Sequence, residues 1–175
     1  MQDQVVKALG ELFTRQRRVG GIPLVAHDVD FSSPAEILPA HAGQVGWQPW
    51  LKPQPSSFAN VGLGLEIEVH PDVSAFFGHY YAGNIEGCFK GLFLTLLQPW
   101  NEADFERLQQ NQIAHQLMMN KLKLPASWFL ASCHDEHKLV TLNNASGAVQ
   151  LERLGKGVIG VLAPTLAQFL RQIEV

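Results

Sequence analysis

The sequence is sparing with charge, cysteine and long apolar runs. Charged residues make up only 17% of its 175 positions, too few for a general nucleic-acid coat, whose affinity rests on many lysine and arginine contacts to phosphate. Two cysteines, Cys88 and Cys133, can build neither a disulfide framework nor a four-thiolate zinc site. The longest apolar stretches, 92–97 and 158–163, fall well short of the ~20 residues that span a bilayer as a helix. The opening Met1-Gln2-Asp3-Gln4 has neither the basic nor the apolar region of a secretory signal. No glycine-rich loop carries the lysine or the strand–helix context of a phosphate cradle. Ser127, Ser132 and Ser146 lack the flanking glycines of a nucleophile elbow. These absences lead us to expect a cytoplasmic protein without enzymatic activity, forming one domain over residues 1–175. With 46% hydrophobic residues, a chain of this length buries about 70% of its unfolded surface.

The net charge of −3 conceals an uneven distribution. Residues 1–26 carry Asp3 and Glu11 against Lys7, Arg15, Arg17 and Arg18, a balance of +2. Residues 27–89 carry Asp28, Asp30, Glu36, Glu66, Glu68, Asp72 and Glu86 against Lys52 alone, a balance of −6. Residues 90–175 come to +1. Like charges repel and work against compaction, so an unpaired acidic block points to a solvated or partner-binding face.

Periodicity sets out the elements. Val5, Leu9 and Leu12, with Val6 and Phe13, form the apolar stripe of a first helix that Gly20-Gly21 ends. The arginines of its last turn suit the negative end of the helix dipole. Six prolines between Pro23 and Pro55 exclude a long helix there and predict irregular chain, with one short edge strand around 45–50. Residues 58–69 fit a short helix or a strand equally, and a short helix follows Pro71. Tyr80-Tyr81 and 92–97 read as strands, the second fully buried, with glycine turns between them. Asn101 caps a long helix whose face runs through Phe105, Leu108, His115, Met119 and Leu122. A meander of antiparallel strands and a closing helix through Leu162, Leu166, Phe169, Leu170 and Ile173, with Pro164 in its first turn, complete an α+β fold, a mainly antiparallel sheet with helices packed around it.

Residues with chemistry are scattered. His134-Asp135-Glu136-His137 has metal-binding side chains, yet it falls in a predicted hairpin turn and no further ligands are specified. His27, Asp28, Asp30 and His41 have still less geometry. His115 reads as a core histidine, and Cys88 as a small buried thiol. We therefore assign no catalytic residue, no metal site and no cofactor.

One set of motifs is specific. Leu94-Thr95-Leu96-Leu97-Gln98-Pro99-Trp100-Asn101-Glu102-Ala103-Asp104-Phe105, then Lys121-Leu122-Lys123-Leu124-Pro125 and Phe129-Leu130-Ala131, resemble the bacterial Syd family, part of the SUKH superfamily. Trp47-Gln48-Pro49, residues 79–83, Asn144-Ala145-Ser146-Gly147 and residues 166–170 continue the likeness. It runs from about Trp47 to the end; the first 46 residues share only a leading helix. Asn84 stands where the family often has aspartate, and Lys90 interrupts the acidic stretch. The resemblance implies a SUKH-like α+β fold. It also implies a SecY-interacting regulatory or quality-control protein, held loosely at the cytoplasmic face of the bacterial inner membrane through SecY. Its partner surface would be acidic, facing the basic cytosolic loops of the channel, as the positive-inside rule requires. The alternative is a SUKH-type immunity module that neutralises a basic toxin. Candidate partner-binding residues are Asp28, Asp30, Glu36, Glu66, Glu68, Asp72 and Glu86, with Trp47 and Trp50 as apolar anchors.

Overall fold

The computed structural model describes residues 2–175. Helix α1 (Gln2–Gly20) is followed by strands β1 (Leu24–Ala26), β2 (Glu36–His41), β3 (Gln44–Trp47) and β4 (Trp50–Leu51). Helices α2 (Ala59–Leu65) and α3 (Pro71–Phe77) come next, then β5 (Tyr80–Tyr81), β6 (Ile85–Phe89) and β7 (Leu92–Leu96). The long helix α4 (Glu102–Lys121) leads into β8 (Ser127–Cys133), β9 (Lys138–Asn143), β10 (Val149–Arg153) and β11 (Gly157–Ala163), and α5 (Leu166–Gln172) closes the chain. Six strands form one antiparallel sheet in the order β11-β10-β9-β8-β7-β6. The fold is α+β, as its periodicity predicts.

Apolar residues of α1, α3 and α5 share one core with the sheet: Leu9 and Leu12, Phe76 and Phe77, and Phe169 and Leu170 meet Ile85, Leu96, Leu130 and Leu142. Arg15 does more than sit in a dipole. Its guanidinium donates to the carbonyl oxygens of Leu170 (2.8 Å) and Ile173 (3.4 Å), closing the end of α5. Arg17 instead donates to Gln48 (3.1 Å).

Several expectations need correction. The closing helix begins only at Leu166, capped by Thr165; Leu162 lies instead in strand β11, and Pro164 precedes the helix. The proline-rich span is not irregular: β1, β3 and β2 form a three-stranded antiparallel sheet there. Short strands tolerate proline at an edge, and Pro39 sits in the edge strand β2. Likewise, the glycines between Tyr81 and Leu92 do not make turns only; Gly87 lies inside β6, opposite Leu94. A Cβ there would come within 2.6 Å of Ile173, so glycine lets the C-terminal segment approach closely.

Helix α4 was expected to bury an apolar face. Asn101 caps it as predicted, its side chain accepting from the Asp104 amide at 2.9 Å. The buried set, however, contains Gln109, Gln112, His115 and Gln116 beside Phe105 and Met119, while Leu117 and Leu122 face solvent. The reason lies in β8. Its pairing with β7 reaches only Ala131, with one further bond from Leu97 N to Leu130 O. Beyond that point α4 supplies the bonds. Gln112 donates to Phe129 O (2.7 Å) and accepts from Phe129 N (3.2 Å), and Gln116 donates to Ser127 O. Buried backbone groups must be partnered, and here side-chain amides take the place of a strand. The set continues inward: Ser127 Oγ donates to Glu152 (2.7 Å), which leaves it to accept from His115 Nε2 at 3.1 Å.

Replacing Gln112 with leucine strands two backbone groups, each worth roughly 1–3 kcal/mol. Urea unfolding of Gln112→Leu should show a loss of that order, and an unchanged midpoint would refute the backbone role. Burial holds the His115 pKa below the ordinary 6.5. The unfolded chain therefore takes up this proton first, so the stability contributed by neutral His115 is complete above the ordinary value and is lost as pH falls below it. Melting curves between about pH 7.5 and pH 5, where imidazoles titrate, should fall less steeply for His115→Gln than for the parent chain.

Candidate partner-binding site

The nine predicted residues fall into three groups. Three are withdrawn from the surface. Trp47 is 2% exposed; its ring meets Phe13 edge-on at 6.2 Å and lies where a Cβ on Gly83 would come within 2.5 Å of it. Only glycine admits it so closely, and it serves the core rather than a partner. The Glu36 side chain on β2 is buried beside His27 at 3.7 Å. Asp72 is buried at the start of α3, 4.0 Å from His70, and desolvation pushes its carboxyl above the usual aspartate range. Trp50 stays at the surface, 37% exposed and stacked on Tyr81 with ring centres 5.9 Å apart.

The other five, Asp28, Asp30, Glu66, Glu68 and Glu86, are exposed, and none takes part in an ion pair among the described residues. Lys52, the sole cation of the acidic segment, is unavailable to them. Its ammonium lies 3.6 Å from Glu102, above the rings of Tyr81 (4.5 Å) and Phe105 (5.2 Å). Charge imbalance in the sequence thus becomes uncompensated charge at the surface.

These five stand on three separate features. Asp28 and Asp30 share a turn after β1, where the Asp28 side chain accepts from the Asp30 amide at 3.0 Å. The turn is fastened to the head of α4: Trp100 Nε1 donates to Phe31 O and Asn101 to Ser32 O. Glu66 terminates α2 in the left-handed conformation (φ 55°). Glu68 follows it, and its carbonyl receives the Asn144 amide at 2.9 Å. Glu86 stands alone on β6.

Glu86 lies in a groove of about 570 Å³ formed by β6, β7, the end of β8 and the C-terminal segment. Glu174 enters from the opposite side, because Cys88 and Glu174 exchange backbone hydrogen bonds of 2.8 and 2.9 Å. Phe93 stands 61% exposed beside them. Residues 92–97 were read as wholly buried, yet strand alternation turns Phe93 out while Leu94 and Leu96 turn in. No lysine or arginine lines this groove. A second groove, of about 580 Å³ between α2 and α4, carries Glu102 and Glu106. There Glu102 is already held by Lys52 and by the Tyr81 hydroxyl, and an amide pair between Asn60 and Gln109 ties the two helices together.

Sequence reasoning missed Glu174 and Phe93. Nothing local links Glu174 to β6, whereas the alternation that exposes Phe93 was readable. The His134–His137 cluster is turn chemistry: Asp135 accepts from the His137 amide (3.0 Å) and pairs with Lys138 (3.3 Å), which together hold its carboxyl below the usual range. Among the described residues no three His, Cys, Asp or Glu side chains converge to hold a metal.

Fold and groove together define an α+β protein with two carboxylates, Glu86 and Glu174, and an exposed aromatic ring in one groove. The chain belongs to the Syd family: the family described as Syd protein (SUKH-2) matches residues 4–174. The likeness therefore includes α1 and the small sheet, further toward the N-terminus than the motifs beginning at Trp47 had indicated. Protein Syd of Tolumonas auensis is 44% identical over 99% of this chain and 91% of its own length. Protein Syd of Aeromonas salmonicida is 42% identical over 99% and 98%, and that of Cronobacter sakazakii 35% over 99% and 98%.

The two tryptophans should separate under mutation. Trp47→Ala should cost about 3–5 kcal/mol as a buried aromatic deletion. Trp50→Ala should cost about 1.5 kcal/mol or less, the scale of one aromatic pair. Equal losses in urea unfolding would contradict this assignment of core and surface.

Proposed function

We propose that this chain is a SecY-interacting protein that docks on the basic cytosolic loops of the translocon channel through its unpaired carboxylates, without catalysing a reaction. One observation carries the reading: Glu86, Glu174 and exposed Phe93 line one groove that no lysine or arginine lines. Membership of the Syd family supports SecY as that partner. Cytosolic loops of inner-membrane proteins are rich in lysine and arginine, so an acidic groove is their complement. No described helix is long and apolar enough to cross a membrane, and in this reading the protein reaches the cytoplasmic face of the inner membrane through SecY.

The physical division of labour follows. Asp28, Asp30, Glu66 and Glu68 extend the negative field beyond the groove, accelerating encounter and discouraging acidic partners. Contact within the groove then joins short-range pairing at Glu86 and Glu174 to burial of Phe93, since rim charge alone contributes little affinity.

Sedimentation with SecY-containing inner-membrane vesicles tests this. Binding should weaken as salt rises beyond physiological strength, where the screening length is already ~8 Å. The double variant Glu86→Lys, Glu174→Lys should bind roughly tenfold more weakly or worse, a change of about 1.4 kcal/mol, with its melting temperature preserved. Binding indifferent both to salt and to this reversal would refute the reading.

A further inference from the structure

Cations are gathered as unevenly as acids. Lys121 and Lys123 stand where α4 ends, and Arg153 and Lys156 stand at the β10–β11 turn. All four side chains are exposed, and none takes part in an ion pair among the described residues. The fold brings the two places together. Leu122 closes the last turn of α4 on Met118 O (3.0 Å), and Lys123 adopts the left-handed conformation (φ 56°) that turns the chain back. Leu124 then reaches the start of β11, where a Cβ on Gly157 would stand 3.2 Å from it. Lys156 N closes the hairpin turn on Arg153 O (2.9 Å). Each cation is thus within four residues of the Leu124–Gly157 contact.

Aliphatic side chains lie between the charges: Leu122, Leu154 and Val158 are 44%, 48% and 46% exposed. Two acids of this region are engaged, since buried Glu152 accepts from Ser127 and Asp135 pairs with Lys138. Glu136 belongs to the neighbouring turn, where Leu154 N donates to His137 O (2.8 Å). Glu66 and Glu68 border the α2 side of the α4 end, where Leu65 and Ile67 share a small cavity with Leu124. These three carboxylates confine the cationic surface to the two chain reversals.

We propose that this corner rests on an anionic phospholipid bilayer, its lysines and arginine meeting headgroup phosphates and its three aliphatic side chains entering the headgroup boundary. Cations interleaved with aliphatic side chains are what an interfacial anchor requires. A single-stranded nucleic acid would also attract the cations, but such ligands are held by rings on which bases stack. Neither 117–126 nor 153–163 contains phenylalanine, tyrosine or tryptophan. The chain carries −3 overall, so attraction to an anionic surface has to be local. At physiological salt the screening length of ~8 Å leaves the nearest charges to act while distant carboxylates count for little. The surface is separate from the acidic groove and requires no SecY.

Co-sedimentation with protein-free vesicles at physiological salt tests the proposal, and its outcome is independent of SecY docking. The chain should bind vesicles of equal parts phosphatidylglycerol and phosphatidylcholine, release them as salt rises, and leave pure phosphatidylcholine vesicles unbound. The double variant Lys123→Gln, Lys156→Gln should bind roughly tenfold more weakly or worse. Hydrogen exchange on the unmodified chain gives a readout independent of how the variant folds: amides of 121–124 and 154–158 should exchange more slowly on the anionic vesicles, and those of 86–93 should not. Failure to bind anionic vesicles overturns the proposal, as does equal binding to both kinds or protection that falls elsewhere. Capture of the chain by single-stranded RNA without vesicle binding overturns it too, and would assign the cations to a nucleic acid.

Discussion

The backbone of β8 beyond the end of β7 has to be bonded, and α4 bonds it. Gln112 closes both groups of Phe129, and Gln116 closes Ser127 O. A stranded amide would cost roughly 1–3 kcal/mol for each group, which in a marginally stable domain is a large share of the total. This constraint fixes where α4 lies against the sheet. The placement of α4 in turn positions Trp100 and Asn101, which fasten the turn bearing Asp28 and Asp30, and Glu102, which occupies Lys52. A polar contact inside the molecule thus sets much of the charge pattern outside it.

That pattern is built by removing neutralising partners as much as by accumulating acids. Glu36 and Asp72 are buried beside histidines, while Lys52 is held over the rings of Tyr81 and Phe105. The remaining carboxylates keep their field in solvent. Self-repulsion of this kind costs stability; in the docking proposed above, faster and better oriented association with a basic partner compensates for it.

The elements with strong apolar periodicity were legible in the sequence: α1, α3, α5 and the β8–β10 meander needed only spacing and caps. What stayed hidden depended on contacts distant in sequence. The glutamines of α4 look like a solvated face until β8 is placed beside them. Trp47 looks like a surface anchor until Gly83 is found beneath its ring. The small β1-β3-β2 sheet was masked by prolines that its edges tolerate, and β6 by the glycine that admits Ile173. Five of the seven acids were rightly placed at the surface, since aspartate and glutamate are rarely buried unless paired. The two exceptions each had a histidine within 4.0 Å that sequence distance alone could not assign. Glu174 escaped notice because only the closed fold carries the C-terminal segment back to Cys88.

The central claim is that the groove between Glu86 and Glu174 is the surface that meets SecY. Photo-crosslinking reads contact directly. A photoreactive residue at position 93, inside the groove, is compared with one at position 63, where Leu63 is 82% exposed on α2. With SecY-containing inner membranes at low salt, position 93 should yield an adduct mapping to the basic cytosolic loops, and position 63 should not. An adduct from position 63 with none from position 93 would contradict the account.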